Sequence, residues 1–381
     1  MIPLDEDLPA ILAMTAQAVA IDSGTYCTAG VQAVAELFAG HLRGSGFAVT
    51  MTPLPGRADQ MTATRVFGPG QRVLMLGHAD TVWPDGTAAG WEYGNDGAFL
   101  TGPGVGDMKV NVAMALHALR HVVAVPPPGI GAITVLIVPD EEIGSPGSRA
   151  WIEAHARQAD ACLTLEPCRP GGRLVVGRGA VGALYVRAAG VTAHVGSARA
   201  QGASAISALA ALVGPLEALT DETRGVGASV GILRGGGARQ VVPAHAELHL
   251  DLRAATSAGA DWLVAEAHRI VTVPPADPRV RITAEGGFYR PPFPTGPGTR
   301  RLYAMAQALC AELSIPVGEV VSPGGSDGSF AAALGIPTLD GLGPVCHDTC
   351  SLRERVELDS IVPRGRLFAG LIAAIGREGV A

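Results

Sequence analysis

The stretch QRVLMLGHAD, residues 71–80, contains the continuous apolar run VLMLG, which is followed by a histidine and, two residues later, an aspartate. Such a run, without polar alternation, predicts a strand buried on both faces, as in a parallel sheet covered by helices. Two more apolar runs follow, GAITVLIVP at 131–139 and ACLTL at 161–165, with helical segments between them. The sequence therefore predicts an α/β fold with a mixed, mostly parallel sheet flanked by helices.

The pattern changes between about residues 177 and 289. In AHAELHLDLR, residues 244–253, apolar and polar residues alternate strictly, as in half-buried antiparallel strands. We interpret 177–289 as a smaller α+β domain inserted into a discontinuous larger domain, which comprises 1–176 and 290–381. Helices are predicted at 7–20, 29–44, 108–121, 148–155, 202–219, 259–271, 298–313 and 363–377.

Composition restricts the functional classes. The 381 residues are enough for two domains, and 28 basic against 35 acidic residues give a net charge of −7 with no basic run. This balance argues against nucleic acid and anionic membranes as partners. The six cysteines are scattered, and the N-terminus is acidic where a signal peptide would be basic. We therefore expect reduced thiols and a cytoplasmic location.

Acidic and histidine residues cluster at the ends of the apolar runs. They are His78, Asp80, Asp107 in GPGVGDMK, Glu141 and Glu142 in PDEEIGS, Glu166 in LTLEP, and His347. Histidines and carboxylates in this number suit a divalent metal such as zinc. Because burying two adjacent carboxylates without cations is costly, one glutamate of the Glu141–Glu142 pair can bind metal while the other accepts a proton.

The spacing of residues bears on the roles of Asp80 and of two cysteines near these clusters. Asp80 follows His78 by two residues, which favours orienting the imidazole over binding metal. Cys346 and Cys350 flank His347, and a role as ligands or as a redox pair stays open, although a carboxylate-rich site does not need them.

The motifs GHADTVWP, GPGVGDMK, PDEEIGS, AGVTAHVGS and RQVVPAHAELHLDLR occur in an order that resembles the M20 family of metallopeptidases, in its glutamate carboxypeptidase-like branch. The resemblance implies two divalent ions, zinc first, with cobalt or manganese as alternatives. By it, the ligands of one ion are His78, Asp107 and Glu166. Those of the other are Asp107, Glu142 and His347. Asp107 would bridge the ions, and Glu141 would be the general base.

The resemblance also implies a homodimer through the inserted domain, which would act as a dimerisation and lid domain. His194, in AGVTAHVGS, would reach the site of the partner subunit and stabilise the oxyanion. The elements that would receive the carboxylate of the substrate are Arg290, Gly324, Gly325 and Ser326. Gln240 stands where the family usually has a substrate-contacting asparagine.

These observations predict a hydrolase that cleaves an amide bond next to a free carboxylate, with a small peptide or an N-acyl amino acid as substrate. Gln240 keeps open an alternative, an N-acyl-amino-acid hydrolase or an amidohydrolase or deaminase acting on a non-peptide C–N bond. A more remote alternative is a non-catalytic, metal-stabilised binding protein.

Overall fold

The computed structural model describes residues 2–380. The helices are α1 (Leu8–Val19), α2 (Thr28–Gly44), α3 (Thr87–Gly90), α4 (Val110–Ala124), α5 (Arg149–Ala156), α6 (Ala205–Glu217), α7 (Ser257–Val271), α8 (Pro297–Leu313), α9 (Gly328–Ala333) and α10 (Ile361–Glu378). The strands are β1 (Ala48–Thr52), β2 (Gln60–Val66), β3 (Gln71–His78), β4 (Gly94–Asn95), β5 (Phe99–Thr101), β6 (Ile130–Val138), β7 (Ala161–Thr164), β8 (Arg173–Arg178), β9 (Ala180–Ala189), β10 (Val226–Gly235), β11 (His245–Ala254), β12 (Arg281–Arg290), β13 (Gly318–Ser322), β14 (Thr338–Leu339), β15 (Cys346–His347) and β16 (Arg355–Glu357).

The chain divides into two compact units. The first unit comprises Met1–Gly177, Phe293–Val321 and Ser326–Ala381, and the second comprises Arg178–Pro292 and Ser322–Gly325. The predicted insertion, 177–289, differs from the second unit by a few residues at its C-terminal edge and by the short returning segment.

The first unit is built on a six-stranded sheet with the order β1-β2-β6-β3-β7-β14. Strands β6, β3, β7 and β14 are parallel, and β1 and β2 are antiparallel additions at one edge. Successive side chains of β3 point to opposite faces of this sheet. Val73 and Met75 join the core that includes α4 and α10, while Leu74 and Leu76 join the core that includes α5 and α9. Helices therefore cover both faces, which confirms the predicted fold class and explains the continuous apolar run.

The parallel register brings three strand ends to one edge. His78 at the end of β3 pairs with Val138 at the end of β6, and Leu76 pairs with Thr164 at the end of β7. Polar residues that follow these strands consequently emerge side by side, where α/β proteins usually bind ligands.

A small antiparallel sheet of the first unit, with the order β15-β16-β5-β4, carries the late candidate residues. Cys346 pairs with Val356 and His347 with Arg355. The segment 348–354 connects these two strands and therefore forms the loop that follows His347.

The second unit has an antiparallel sheet with the order β10-β11-β9-β12, on which α6 and α7 pack. The predicted buried face of β11 is confirmed, since Leu248, Leu250 and Leu252 are fully buried, while His245 at its start is exposed. Among residues 2–380, no helix has both the length and the apolar character needed to cross a membrane.

Candidate metal centre

The first group of candidate ligands forms at the ends of β3 and β7. His78 Nε2 lies 3.1 Å from Asp107 Oδ1 and 3.9 Å from Glu166 Oε1. The other ring nitrogen, Nδ1, donates to the backbone oxygen of Asp80 at 2.9 Å. Because a backbone carbonyl can only accept, this bond fixes the ring orientation and directs Nε2 towards the carboxylates.

The second group shares Asp107 with the first. Ligand atoms of Asp107, Glu142 and Cys350 lie within 4.8 Å of one another. Asp107 Oδ2 is 3.4 Å from Cys350 Sγ, while Oδ1 faces His78. The two oxygens of one carboxylate thus serve two groups, which is the arrangement expected of a bridging ligand.

His347 lies in neither group. Its Nε2 is 2.7 Å from Glu357 Oε1, and its ring contacts that of Phe99 edge-on, with 6.0 Å between centroids. The role of His347 as a metal ligand stays a prediction. The sequence left open whether Cys350 is a ligand, and the structure places Cys350 in the second group, with Asp107 and Glu142.

Glu141 and Glu142 form a short turn, Glu141–Ile143, directly after β6 and Asp140. The Asp80 carboxylate accepts the backbone amides of both glutamates, each at 3.1 Å, and the Thr25 hydroxyl at 2.6 Å. Its Oδ1 is also 3.5 Å from His78 Nδ1. Asp80 therefore connects the end of β3, which carries His78, to the two glutamates. Its contacts extend beyond the imidazole that the sequence analysis expected it to orient.

The pKa values show how crowded the negative charge is. Burial raises the pKa of Glu142 well above its usual value, and the charge of Asp107 adds to the effect. Burial alone would lower the pKa of His78, but hydrogen bonds with Asp107 and Asp80 outweigh it and raise that pKa well above its usual value. Burial, followed by the charges of Asp107 and Glu142, raises the pKa of the Cys350 thiol.

The residues fit a pair of divalent cations. Glu142 Oε1 is buried and has no hydrogen-bond partner among residues 2–380, so a cation would satisfy an atom that the protein leaves unpaired. Imidazole, carboxylate and thiolate are all donors that zinc accepts. A cation would also offset the repulsion among the buried carboxylates.

His194 and Gln240 lie on neighbouring segments of the second unit. His194 Nδ1 accepts the backbone amides of Gly196 and Ser197, each at 3.2 Å, and Val195 N donates to Gln240 O at 3.0 Å. The Ser197 hydroxyl also lies 3.1 Å from Nδ1. Since two amides donate to Nδ1, the proton of the neutral ring is on Nε2, where the ring can donate it to a substrate oxygen.

The predicted carboxylate-binding elements divide between the units. In the second unit, Arg290 is buried, and a Cβ at Gly325 would lie 2.4 Å from Arg290 Cδ, so only glycine permits this approach. Arg178 Nη1 donates to the carbonyls of Gly324 and Gly325 at 3.0 and 3.1 Å. In the first unit, Ser326 is fully buried and its hydroxyl donates to Asp340 Oδ2 at 2.7 Å.

Asn111 and Glu354 are two positioning residues that the sequence analysis missed. Asn111 Nδ2 donates to the carbonyls of Gly106 and Leu165, both at 2.8 Å, and so ties the segment before Asp107 to the segment before Glu166. Asn111 is a fully buried amide in an otherwise apolar stretch of α4, which was the available sequence signal.

Glu354 fixes the backbone that carries Asp107. Its Oε1 accepts the amides of Gly106 and Asp107 at 2.8 and 3.3 Å, and its Oε2 accepts the amide of Cys350 at 2.9 Å. Burial and then the charge of Asp107 raise the pKa of Glu354 to about 7.

We expect Glu354→Ala to weaken divalent metal binding by about 10–100-fold, as is typical when a residue that holds a ligand is lost. The measurement is calorimetric titration of chelator-stripped protein with zinc. Glu312→Ala, on the exposed face of α8, is the control and should bind zinc as the unmodified protein does. Equal affinities in the two variants would remove Glu354 from the site.

Three comparisons relate this architecture to known proteins. The family profile "Peptidase family M20/M25/M40" matches residues 74–374. Carboxypeptidase G2 of Pseudomonas sp. (strain RS-16) is 29% identical over 379 residues, covering 97% of this chain and 90% of that protein. Succinyl-diaminopimelate desuccinylase of Aromatoleum aromaticum is 28% identical over 323 residues, covering 80% of this chain and 82% of that protein.

The fold has a solved counterpart in an M20 family metallo-carboxypeptidase from Sulfolobus solfataricus. The TM-score is 0.75 at 15% identity, over 96% of this chain and 99% of that one. The resemblance inferred from the motifs is thereby confirmed. The chain belongs to peptidase family M20/M25/M40 and is a metal-dependent hydrolase.

Proposed function

We propose that the protein hydrolyses an amide bond next to a free carboxylate, using two divalent ions, with zinc as the first expectation. The observation that carries this proposal is the placement of Asp107, whose two oxygens face two separate groups of ligands. The ligands proposed for the first ion are His78, Asp107 and Glu166. For the second they include Asp107 and Glu142. When bound, such ions polarise a substrate carbonyl and lower the pKa of a water molecule towards about 7.

Glu141 is the general base of this proposal. It precedes the ligand Glu142, and its own backbone amide is held by Asp80 Oδ1. The Glu141 carboxylate takes the proton of the attacking water and then delivers it to the nitrogen of the departing amine. One carboxylate thus serves as base and then as acid, so the amine departs protonated and not as a high-energy amide anion.

His194 stabilises the oxyanion in this proposal, from the second unit of the partner subunit in a homodimer. Supporting it is the pair of amides at Nδ1, which leave Nε2–H as the donor. A preorganised donor of this kind requires no rearrangement when charge develops on the substrate oxygen.

Arg290 and the Gly324–Gly325 segment receive the carboxylate of the substrate. A guanidinium matches a carboxylate in shape and charge, and Gly325 allows the Arg290 side chain to approach this segment closely. Ser326 is proposed with them as a support, since its hydroxyl is already engaged by Asp340.

An N-acyl-amino-acid hydrolase is the second candidate. It is favoured by the desuccinylase among the relatives, since the name of that enzyme indicates removal of a succinyl group. Gln240 is the residue most concerned, because its backbone adjoins the His194 segment.

The substrate proposal predicts metal-dependent release of glutamate, or of a related amino acid, from peptides and N-acyl amino acids. Chelator-stripped protein would be assayed with and without zinc, cobalt or manganese. The matched controls are the same amides with the carboxylate methylated, which should react poorly. Cleavage of simple aryl amides, with no preference for the free carboxylate, would refute the substrate class and leave the metal chemistry standing.

Glu141→Ala should lower kcat by at least about 10²–10⁴-fold, because the proton acceptor is lost. The variant should still bind the same number of metal ions by elemental analysis, since Glu141 is not a proposed ligand. Turnover at the unmodified rate by metal-loaded Glu141→Ala would refute its role as base.

His194→Ala should lower kcat by about 10²–10³-fold, as expected for one oxyanion donor. If His194 comes from the partner subunit, mixing inactive His194→Ala with inactive Glu141→Ala protein restores activity. A mixed dimer then contains one site in which both residues are intact. No recovery after subunit exchange, demonstrated by mass, would contradict the shared site.

A further inference from the structure

Cys350 is positioned as a metal ligand. Its Sγ lies 3.4 Å from Asp107 Oδ2 and belongs to the group that also contains Glu142. We propose that the Cys350 thiolate, and not the His347 imidazole, completes the second metal position of this protein. The proposal rests on the proposed two-ion function and specifies one of its ligands.

The strand geometry explains why His347 does not fill this position. Adjacent residues of a strand point to opposite faces. On one face of the β15–β16 pair, Cys346 and Val356 contact Gly106, since a Cβ there would lie 2.4 Å from Cys346 Sγ. Gly106 adjoins Asp107, so that face is turned towards the ligands. His347 is on the other face, with Arg355 opposite and Glu357 bonded to its ring.

The spacing of the donors suits one ion. For Zn–S near 2.3 Å and Zn–O near 2.0–2.2 Å, two ligands on a tetrahedral zinc lie roughly 3.5 Å apart. The distance from Cys350 Sγ to Asp107 Oδ2, 3.4 Å, is close to that value. Independent support comes from Glu142 Oε1, a buried acceptor in the same group that has no hydrogen-bond partner among residues 2–380.

The backbone holds the thiol in place. Cys350 has a positive φ of 60°, an uncommon backbone conformation for a residue other than glycine. Its amide donates to Glu354 Oε2, while Glu354 Oε1 accepts the amide of Asp107. A single buried carboxylate therefore sets the positions of both the thiol and the carboxylate that it faces.

A thiolate makes the second position softer than an all-nitrogen-and-oxygen site. Thiolate ligands favour zinc and cobalt over manganese and magnesium. We therefore expect the second position to retain zinc against an excess of manganese, and Cys350→His to bind manganese more readily than the unmodified protein.

The test is X-ray absorption spectroscopy of the full-length, zinc-loaded protein, with zinc content measured by elemental analysis. The expected result is a sulfur neighbour at about 2.3 Å in the unmodified protein and in Cys346→Ser, the matched control. The sulfur neighbour should be absent in Cys350→Ser, and the zinc content should fall from two ions to one. Cys350→His, which restores a ligand, should bind two ions without the sulfur signal.

Other results would contradict the role of Cys350 as a ligand. Two bound ions without a sulfur neighbour, or loss of an ion in His347→Ala with both retained in Cys350→Ser, would overturn the proposal for Cys350. The proposed hydrolysis would survive that outcome, because it is measured separately by metal-dependent substrate cleavage. Failure of the unmodified protein to bind any metal would overturn both proposals.

Discussion

The Asp107 carboxylate is the constraint around which the first unit is organised, because it faces His78 with one oxygen and Cys350 with the other. Contacts from two other residues hold the backbone at this position. Glu354 binds the amides of Gly106 and Asp107, and Asn111 binds the carbonyl of Gly106. These polar contacts are buried, where an unpaired partner would be costly, so they fix the loop more firmly than surface contacts would.

The sheet brings the other proposed ligands towards Asp107. The parallel register of β6, β3 and β7 brings His78, the Glu141–Ile143 turn and the residue after β7, Leu165, to one edge. The price is electrostatic, since several carboxylates share a poorly solvated space, where burial and then the charge of Asp107 raise the pKa of Glu142 and of Glu354. Such crowding is common at functional sites, and cations are its natural counterpart here.

The regular elements were predictable from the sequence, because hydrophobic periodicity governs them, and the early candidate ligands follow the ends of the apolar runs. Helix α8, expected at 298–313, spans Pro297–Leu313, and the buried face of β11 lies where the alternation put it. The small sheet was not predicted. Strands β15 and β16 have two and three residues, which is too few to show an alternation of apolar and polar residues.

That missing sheet is also why Cys350 was not favoured over His347. The family resemblance pointed to His347, whereas the structure places its ring against Glu357. The sequence did not indicate a role for Glu354 either, because its contacts with Gly106 and Asp107 join positions nearly 250 residues apart. Long-range contacts of this kind leave no local pattern in a single sequence.

Gln240 and His194 are best understood together. Val195 N donates to Gln240 O, and Val242 N donates to Ala193 O, so the two segments form an isolated antiparallel bridge between His194 and Val241. A change at position 240 therefore acts next to the proposed oxyanion donor. Glutamine is one methylene longer than the asparagine usual in the family and carries the same amide. Such a change alters where a substrate amide or carboxylate could be bound and does not alter the proposed metal ligands. Proteins that share this fold can therefore differ in substrate, because residues of the second unit can change while Asp107 and its surroundings stay the same.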